Sequence, residues 1–330
     1  MKFLEMIYGP IPSWRFGRSL GIDTTTLPKK CSFDCIYCQL GKTNIHVSSP
    51  EEVAEDLPKV DQIINGLRQF LARIDVSSID VVTFSGTGEP TLNLELGKMV
   101  DKIRPIMGAI PLVLLTNASF LHRDDVMENV SRLDIITSKF DAGDEKTFRA
   151  INRPIKGITI DEIKESIKKL KSKTEGLVAL EVMLLRTDIG ISNVDGESRQ
   201  HLIESIIDIN PDLIQLYTPW RPSSESFVQP VPQNVLNSVA DELEEALGAE
   251  KLWVYGIHDA RGKLVRWKSH KALETEILEI LKRRPCRIVD VSAALNISAV
   301  ETIKHISKLR SEDFIASKTS KDETYYSFKP

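Results

Sequence analysis

Three of the four cysteines lie in one short loop. Cys31, Cys35 and Cys38 have C-x₃-C-x₂-C spacing, and the fourth cysteine, Cys286, is far away in the sequence. Thiolates this close together can converge on one metal centre without help from the rest of the chain. Three thiolates on a four-iron, four-sulfur cluster leave one iron without a protein ligand, and that iron can bind a reactant. The loop therefore predicts an iron–sulfur site.

Two other kinds of site also use clustered cysteines. A structural zinc site usually has four protein ligands, often two C-x₂-C pairs or cysteines followed by histidines. Here the nearest histidine is His46, and there is no second cysteine pair. A disulfide framework within the loop fails on parity, because three thiols cannot pair among themselves. The spacing fits a cluster better than either alternative.

Polar residues also follow three of the predicted strands. The first of these strands leads into the glycine-rich segment Gly86–Glu89, in which glycines let the backbone approach a ligand and a carboxylate can accept from an ammonium group. The next two strands end at Asn117 and at Lys139–Asp141. In a parallel barrel, chemistry belongs at these strand ends. The alternative is helix capping, for which Asp141 and Asp144 are both suitable.

With Tyr37 directly before its last cysteine, the loop resembles the signature of the radical S-adenosylmethionine (radical SAM) superfamily. Membership implies a [4Fe–4S] cluster on Cys31, Cys35 and Cys38 whose open iron chelates the amino and carboxylate groups of SAM. One electron, from a donor such as ferredoxin or flavodoxin, would then cleave the sulfonium. The 5′-deoxyadenosyl radical released in this way abstracts hydrogen from a substrate.

The resemblance also implies which residues bind SAM. The glycine-rich segment looks like the superfamily's segment that holds the SAM amino group. The polar residues at the next strand ends would bond the ribose hydroxyls or the carboxylate of SAM, or contact substrate. The residues expected to bind SAM are Tyr37, Gly86, Gly88, Glu89, Asn117, Lys139 and Asp141.

Within the superfamily, residues 9–13, 86–92 and 218–222 look most like the branch that contains the tRNA wyosine-synthesis enzymes. Those enzymes carry a second cluster bound by three further cysteines, whereas this chain has only Cys286 left. Their carbon–carbon bond-forming reaction is therefore not expected here. Three functions stay open: radical SAM modification of RNA, with tRNA as a candidate, the same chemistry on a protein or peptide, and a non-enzymatic metal-dependent regulator that binds DNA.

A further group of side chains is expected to contact substrate from loops and strand ends near the site. Two alternatives stay open for these side chains. The arginines could be solvated at the surface, and residues 217–232 could form a proline-stiffened connector with one packed aromatic ring. His258 could transfer protons, although a lone histidine is more often structural. The substrate candidates are Arg15, Arg18, Arg153, Arg186, Tyr217, Trp220 and Arg221.

Short apolar runs alternate with amphipathic segments along most of the chain. A helix is predicted over 50–74, and strands over 80–84, 111–116, 134–138, 177–185, 212–217 and 252–256, with helices between them. Several runs are apolar at successive positions, as expected for parallel strands buried on both faces. Periodicity leaves a β/α barrel and a doubly wound sheet open. The radical SAM resemblance favours an α/β fold with a partial (β/α)₆ TIM-like barrel.

The last sixty residues are expected to form a separate unit. We predict a barrel domain over 1–260, a linker over 261–270 and a small domain over 271–330. Three helices followed by a hairpin resemble a winged helix-turn-helix domain. Eleven basic and nine acidic residues in that segment give little of the basic face that a DNA reader needs. Docking of a macromolecule or bracing of the barrel are the other roles.

Composition indicates a globular protein outside the membrane. The chain has 330 residues, of which 42% are hydrophobic and 27% charged, and its formal net charge is −4. It contains no apolar run of membrane-spanning length, and Glu5 interrupts the N-terminal segment where a signal peptide would be apolar. We therefore expect a cytoplasmic protein with no membrane partner, in a compartment that keeps cluster thiols reduced.

Overall fold

The computed structural model describes residues 6–258, 270–283, 285–295, 297–320 and 323–329. Eight strands form its main sheet, in the order in which they follow along the chain. The first strand is antiparallel to the second, and all the others are parallel. The strands are β1 (Ile7–Ser13), β2 (Gly17–Asp23), β3 (Val81–Ser85), β4 (Leu112–Thr116), β5 (Ile135–Lys139), β6 (Leu177–Met183), β7 (Leu213–Tyr217) and β8 (Leu252–Val254).

Helices connect the parallel strands and cover the outer face of the sheet. Each βαβ connection is long enough to return the chain to the same end of the sheet. The helices are α1 (Val60–Leu71), α2 (Leu96–Met107), α3 (Asp124–Val130), α4 (Glu145–Ile151), α5 (Ile160–Lys173), α6 (Gly196–Ile209) and α7 (Gln233–Leu247). This is the partial barrel that the radical SAM resemblance favours, and its described sheet has seven parallel strands, β2 to β8, one more than the six of a (β/α)₆ barrel.

Alternate residues of each strand face opposite sides of the sheet. In β7, Ile214 and Leu216 belong to the apolar core under the helices, whereas Leu213 and Tyr217 belong to clusters on the other face. Because side chains alternate along a strand, Gln215 faces the same inner side as Leu213 and Tyr217. The inner side of the curled sheet, which we call the lumen, therefore carries both apolar and polar residues.

The hairpin of β1 and β2 lies over the open side of the sheet. In this hairpin, Ile7–Ser13 pairs with Gly17–Asp23 in antiparallel fashion. The ring of Trp14 at the hairpin tip lies 5.4 Å from that of Tyr255, beyond the last strand. The tip thus spans the lumen from one edge of the sheet to the other, and side-chain contacts close the gap that backbone pairing leaves.

A small helical unit covers the other end of the lumen. It consists of α8 (His270–Arg283), α9 (Ile288–Leu295), α10 (Ala299–Ser311) and the antiparallel strands β9 (Ile315–Ser320) and β10 (Glu323–Phe328). Residues near the start of five parallel strands share one buried cluster with this unit. They are Val81, Val113, Ile135, Ala179 and Leu213. The unit therefore forms an apolar floor beneath the lumen.

Two predicted element boundaries are wrong for local reasons. The helix expected over 50–74 begins only at Val60, after two short 3₁₀ turns. Pro58 forces the preceding Leu57 into an extended conformation, which a continuous helix cannot contain. The strand expected over 177–185 ends at Met183, because the Asn193 side chain bonds Leu185 N at 2.9 Å and the carbonyl of Met183 at 2.7 Å.

The C-terminal elements agree with the predicted order. The three helices and the hairpin lie where they were expected, and Cys286 is buried. Its backbone also pairs with Tyr326 in an isolated antiparallel bridge, through N–O distances of 2.8 and 2.9 Å. The expected linker falls mostly on 259–269, outside the described residues. No helix of the described chain combines the length and apolarity needed to cross a bilayer.

Packing at the floor is expected to support the whole fold. Ile135→Ala should lower the free energy of unfolding by about 2–5 kcal/mol, because Ile135 is completely buried where the barrel meets the small unit. Urea unfolding followed by circular dichroism measures the change. The matched control is Ile207→Ala on the exposed side of α6, where Ile207 is 37% exposed. An equal decrease in the free energy of unfolding in both variants would contradict the conclusion that packing at the floor supports the fold.

Candidate active site

The cysteine loop is anchored to the barrel by a backbone hydrogen bond to the end of α4 and by a turn within the loop. Ile36 N donates to Ile151 O at 3.0 Å, and Cys38 N donates to Cys35 O at 3.1 Å. The buried ring of Phe33 packs edge-on against Phe148 at 5.4 Å. Local turns set the spacing of the thiols, while contacts with α4 fix the loop on the barrel.

Each of the three sulfur atoms accepts a hydrogen bond from a nitrogen. Cys31 Sγ lies 3.5 Å from Asn117 Nδ2, and Cys35 Sγ lies 3.5 Å from Asn152 Nδ2. Cys38 Sγ lies 3.2 Å from Lys29 Nζ. N–H donors stabilise negative charge on sulfur and tune the potential of an iron–sulfur centre. The donors come from three different segments, so the folded barrel assembles this environment.

The three cysteines are the candidate metal ligands, and burial controls the protonation of two of them. Among the described residues, no three cysteine, histidine or acidic side chains are close enough together to hold one ion. Burial, with the nearby Cys38 and Asp141, raises the pKa of the Cys35 thiol to about 12. Burial likewise raises the pKa of Cys31. Both thiols therefore stay protonated at neutral pH until a metal displaces their protons.

The glycine-rich segment packs directly on the backbone that leads into the cysteine loop. Glu89 N donates to Lys30 O at 3.0 Å. A Cβ on Gly88 would lie 2.0 Å from the same carbonyl oxygen, so no larger residue fits. At Gly86, with φ of +148°, a Cβ would collide with the Asp23 carboxylate. Glycine is thus required here for close approach between two loops.

The Glu89 carboxylate accepts four hydrogen bonds from groups of the protein itself. Its Oε1 accepts from Thr116 Oγ1 at 2.6 Å and from the backbone and hydroxyl of Thr91, and Oε2 accepts from Asn117 N at 2.7 Å. Glu89 therefore ties the glycine-rich segment to the end of β4. This differs from the expected role as an acceptor for an ammonium group, because three of these four bonds already occupy Oε1.

Asp141 lies at the centre of a second network beside the cysteines. Its carboxylate accepts from Tyr37 OH, from Asn152 Nδ2 at 2.8 Å and from Met183 N at 2.8 Å. Lys139 Nζ lies 3.0 Å from it. The cap of α4 is Asp144, whose side chain accepts from Thr147 N. Of the two roles open to Asp141, the structure therefore supports the one at the strand ends.

A third network crosses the lumen. Lys139 Nζ donates to Tyr217 OH at 2.8 Å, and Tyr217 OH donates to the Glu181 carboxylate. Arg15 Nη1 from the hairpin tip lies 2.8 Å from Glu181. Burial raises the pKa of Tyr217 well above its usual value. Burial would also raise the pKa of Glu181, but the cations of Arg15 and Lys139 outweigh it and the pKa is lowered. Glu181 is therefore ionised and balanced by cations.

Aromatic rings line the mouth above these networks. Tyr255 contacts Trp14 edge-on at 5.4 Å and stacks on Trp220 at 5.7 Å, with 13° between the planes. The Arg221 guanidinium lies 4.2 Å from the centre of the Trp220 ring and bonds Gln39 Oε1 at 2.6 Å. Trp220 is 41% exposed. The predicted channel residues Tyr217, Trp220 and Arg221 are thus together in space.

Three predicted substrate arginines lie elsewhere or are already paired. Arg18 bonds Asp80 at the starting ends of β2 and β3, at the end of the sheet opposite the cysteine loop. Arg186 forms an exposed bidentate pair with Asp195, outside the lumen. Arg153 does flank the cysteine loop, where it bonds Glu225 at 2.6 Å.

Two site residues were missed in the sequence. Lys29 is buried with its ammonium beside Cys38, and Glu181 is a buried carboxylate in the lumen. The signals were a lysine close to the first cysteine and a lone acid inside the apolar run Leu177–Met183. His258, by contrast, accepts from Val254 N at 2.9 Å and packs against Trp253, which is a structural arrangement.

Comparison with known proteins decides the family. The Radical SAM superfamily model matches residues 26–189. A UPF0026 protein of Methanocaldococcus jannaschii is 31% identical over 297 residues, covering 90% of this chain and 88% of the relative. A UPF0026 protein of Synechocystis is 37% identical over 216 residues, covering 66% of this chain and 76% of the relative. The chain belongs to the UPF0026 family. It carries a radical SAM superfamily domain and is an enzyme of that superfamily.

Solved structures confirm the fold. Streptococcus suis SuiB bound to S-adenosylmethionine has a TM-score of 0.52 at 13% identity, over 75% of this chain. A radical SAM methyltransferase from Sphaerobacter thermophilus has a TM-score of 0.53 at 15% identity, over 72% of this chain. This UPF0026 protein spans 53% and 65% of those two chains. At this identity the likeness shows the partial TIM barrel alone.

The Lys29 contact predicts a change in redox potential. The charged Lys29 N–H donor to Cys38 stabilises the reduced state of a bound cluster, because that state is the more negative one. A cluster reconstituted on Lys29→Met lacks this donor. Its midpoint potential should fall on the order of tens of millivolts. A redox titration monitored by electron paramagnetic resonance (EPR) measures it.

Lys30→Met is the matched control for this measurement. Lys30 is equally buried, but its ammonium lies 3.5 Å from the carbonyl oxygens of Thr25 and Pro28 and contacts no sulfur. The midpoint potential of a cluster reconstituted on Lys30→Met should match that of the wild type. The same potential in Lys29→Met and the wild type would show that Lys29 has no influence on the cluster.

Proposed function

We propose that this UPF0026 protein reductively cleaves SAM at a [4Fe–4S] cluster held by Cys31, Cys35 and Cys38. The 5′-deoxyadenosyl radical formed when the cluster and SAM are bound would modify a macromolecular substrate. One observation carries the proposal: three cysteines, each with an N–H donor to sulfur, lie beside a glycine-rich loop at the carboxyl ends of parallel strands.

The residues around the cysteines suit a zwitterionic cofactor. We propose that SAM lies along the backbone at Gly86 and Gly88, with Glu89 holding that segment in place. Farther along the sheet edge, Asn117 offers an amide beside Cys31, and Lys139 and Asp141 offer a cation and an anion in the network that also includes Tyr37. The opposite charges of SAM's amino and carboxylate groups match these partners.

The mouth is the proposed entrance for substrate. We assign Arg15, Tyr217, Trp220 and Arg221 to this entrance, with Arg153 beside the cysteine loop. Arg18 and Arg186, which pair with Asp80 and Asp195 away from it, are not part of the proposal. An exposed tryptophan that is stacked on a tyrosine and faced by an arginine is typical of surfaces that stack unpaired bases. This favours RNA, with tRNA as the first candidate because of the likeness to the wyosine branch.

A protein or peptide substrate is the second candidate. Its support is that SuiB, a structural neighbour with a TM-score of 0.52, has been solved bound to its precursor peptide SuiA. A small ferredoxin or flavodoxin is the proposed electron donor for either substrate, and the cytoplasm, where such donors and reduced thiols occur, is the proposed location.

For the C-terminal unit we propose a winged helix that braces the barrel. Two of the three Lys and Arg side chains of α10 pair with acids: Lys308 lies 2.8 Å from Glu274, and Arg310 lies 3.3 Å from Glu175 of the barrel. His305 is buried between Glu274 and Glu301. A DNA-reading helix needs exposed, unneutralised cations. These contacts weigh against the third hypothesis, a DNA-binding regulator.

Anaerobic reconstitution with iron and sulfide, followed by SAM and dithionite, tests the proposed chemistry. The wild type should produce 5′-deoxyadenosine, measured by chromatography. Cys35→Ala should lose at least 100-fold of this activity, because removal of one ligand disrupts the cluster. Cys286→Ala, which removes the buried cysteine of the other unit, should retain it. Reconstituted wild type with bound iron but no 5′-deoxyadenosine would contradict the proposal.

The same assay separates the two substrate classes. Bulk tRNA is expected to raise the rate of 5′-deoxyadenosine formation above that of SAM alone, and bulk soluble protein is not. Trp220→Ala should reduce the stimulation by tRNA about tenfold, because a stacked base contributes about 1–3 kcal/mol. Stimulation by protein and not by tRNA would reverse the preference.

A further inference from the structure

One row of side chains crosses the lumen at a single level. Lys139 on β5 is the register partner of Glu181 on β6, which is the partner of Gln215 on β7, and Gln215 in turn is the partner of Trp253 on β8. All four lie on the inner face of the sheet, between the apolar floor and the aromatic mouth. We call these four residues the inner row.

Buried polar atoms without a partner are concentrated around this row. Within the described part of the chain, nine buried side-chain nitrogen or oxygen atoms lack a hydrogen bond, and five of them belong to lumen residues. Proteins rarely leave such atoms unpaired, and where they do, function is a common reason. The five atoms are Arg15 Nε, Thr137 Oγ1, Gln215 Nε2, Gln215 Oε1 and Trp253 Nε1.

The charges of the lumen already balance one another. Arg15 pairs with Glu181 at 2.8 Å, and Lys139 pairs with Asp141 at 3.0 Å. What remains unpaired is one neutral carboxamide, an indole N–H, a hydroxyl and one guanidinium nitrogen. A charged substrate group would disturb the pair of Arg15 and Glu181, whereas a neutral group with donors and acceptors would supply hydrogen-bond partners to the unpaired atoms.

Gln215 defines the shape of that group. Its side chain is 1% exposed, and both its donor and its acceptor are unpaired. A carboxamide presents N–H and C=O side by side, so it pairs in bidentate fashion with any edge that offers an acceptor beside a donor. The rings of Trp14 and Tyr217, whose centres are 6.0 Å apart, contact each other at an angle of 42° and add aromatic surface to the same side of the sheet.

We propose that the inner row is the substrate-recognition site, and that Gln215 pairs with the lactam edge of a flat, neutral heterocycle. This inference rests on the proposed radical SAM function, because it places the ligand in the lumen below the cysteine loop. Trp253 Nε1 supplies a further donor to the ligand. Gln215 is thus a specificity residue and takes no part in SAM cleavage.

Uridine is a suitable probe, because its N3–H lies between two carbonyl groups, and 3-methyluridine lacks that donor. Binding of both to the reconstituted, SAM-loaded protein is measured by equilibrium dialysis, which needs no turnover. Uridine should bind at least tenfold more tightly than 3-methyluridine. Gln215→Leu should weaken uridine binding about tenfold and abolish that preference. Gln200→Leu, on the exposed surface of α6, is the matched control.

The possible results are separable. If Gln215→Leu folds, as circular dichroism shows, and binds uridine as the wild type does, the inference is overturned and Gln215 merely bonds buried water. If N-acetylasparagine amide binds in a Gln215-dependent manner and uridine does not, the heterocycle is also overturned and a peptide carboxamide replaces it. In both cases 5′-deoxyadenosine formation by Gln215→Leu should equal that of the wild type. If the wild type itself forms no 5′-deoxyadenosine, the proposed function is overturned, and the Gln215 inference is judged by the binding results.

Discussion

The structure depends on close contact between two loops at the carboxyl ends of neighbouring strands. The cysteine loop follows β2, the glycine-rich segment follows β3, and Gly88 lets the second lie against the backbone of Lys30. Glu89 and Asp23 then fasten the segment from either side, through Thr116 and Thr87. A side chain at Gly88 would push the two loops apart. The site for the three thiols and the proposed site for SAM would then no longer adjoin.

The lumen changes in character from one end to the other. Its floor is apolar and is shared with the C-terminal unit, its middle carries paired charges and the unpaired Gln215, and its mouth is aromatic. A closed floor leaves the mouth as the route inward, and it keeps water away from the starting ends of the strands. For radical chemistry, such enclosure protects reactive intermediates from solvent.

Much of this arrangement can be predicted from local sequence patterns. Continuous apolar runs indicated parallel strands, and cysteine spacing with the glycine-rich segment indicated the site, because each of these signals is contained within a few neighbouring residues. The predicted boundaries of helices and strands were wrong where a single residue overrides the periodic pattern, as Pro58 does before α1. Contacts between distant segments were not predictable: Arg15 was expected near substrate, but its partner Glu181 lies 166 positions away and only the curled sheet joins them.

The positions of Arg18 and Glu89 show the same limit. Arg18 is only three residues from Arg15, yet it lies at the starting end of β2, because the hairpin reverses direction between them. Glu89 belongs to a motif that resembles a cofactor-binding segment, but its carboxylate is engaged in holding that segment. Sequence proximity and motif membership identify the region of a site, whereas the hydrogen bonds decide what each side chain does.

The central claim is that the three cysteines hold a cluster with one iron that a small molecule can reach. EPR spectroscopy of the reduced, reconstituted protein before and after SAM addition tests it most directly. The account predicts a [4Fe–4S]⁺ signal whose g-values shift when SAM is added, because SAM binds the open iron. A signal that SAM leaves unchanged, or a site that takes up a single zinc ion in place of the cluster, would contradict it.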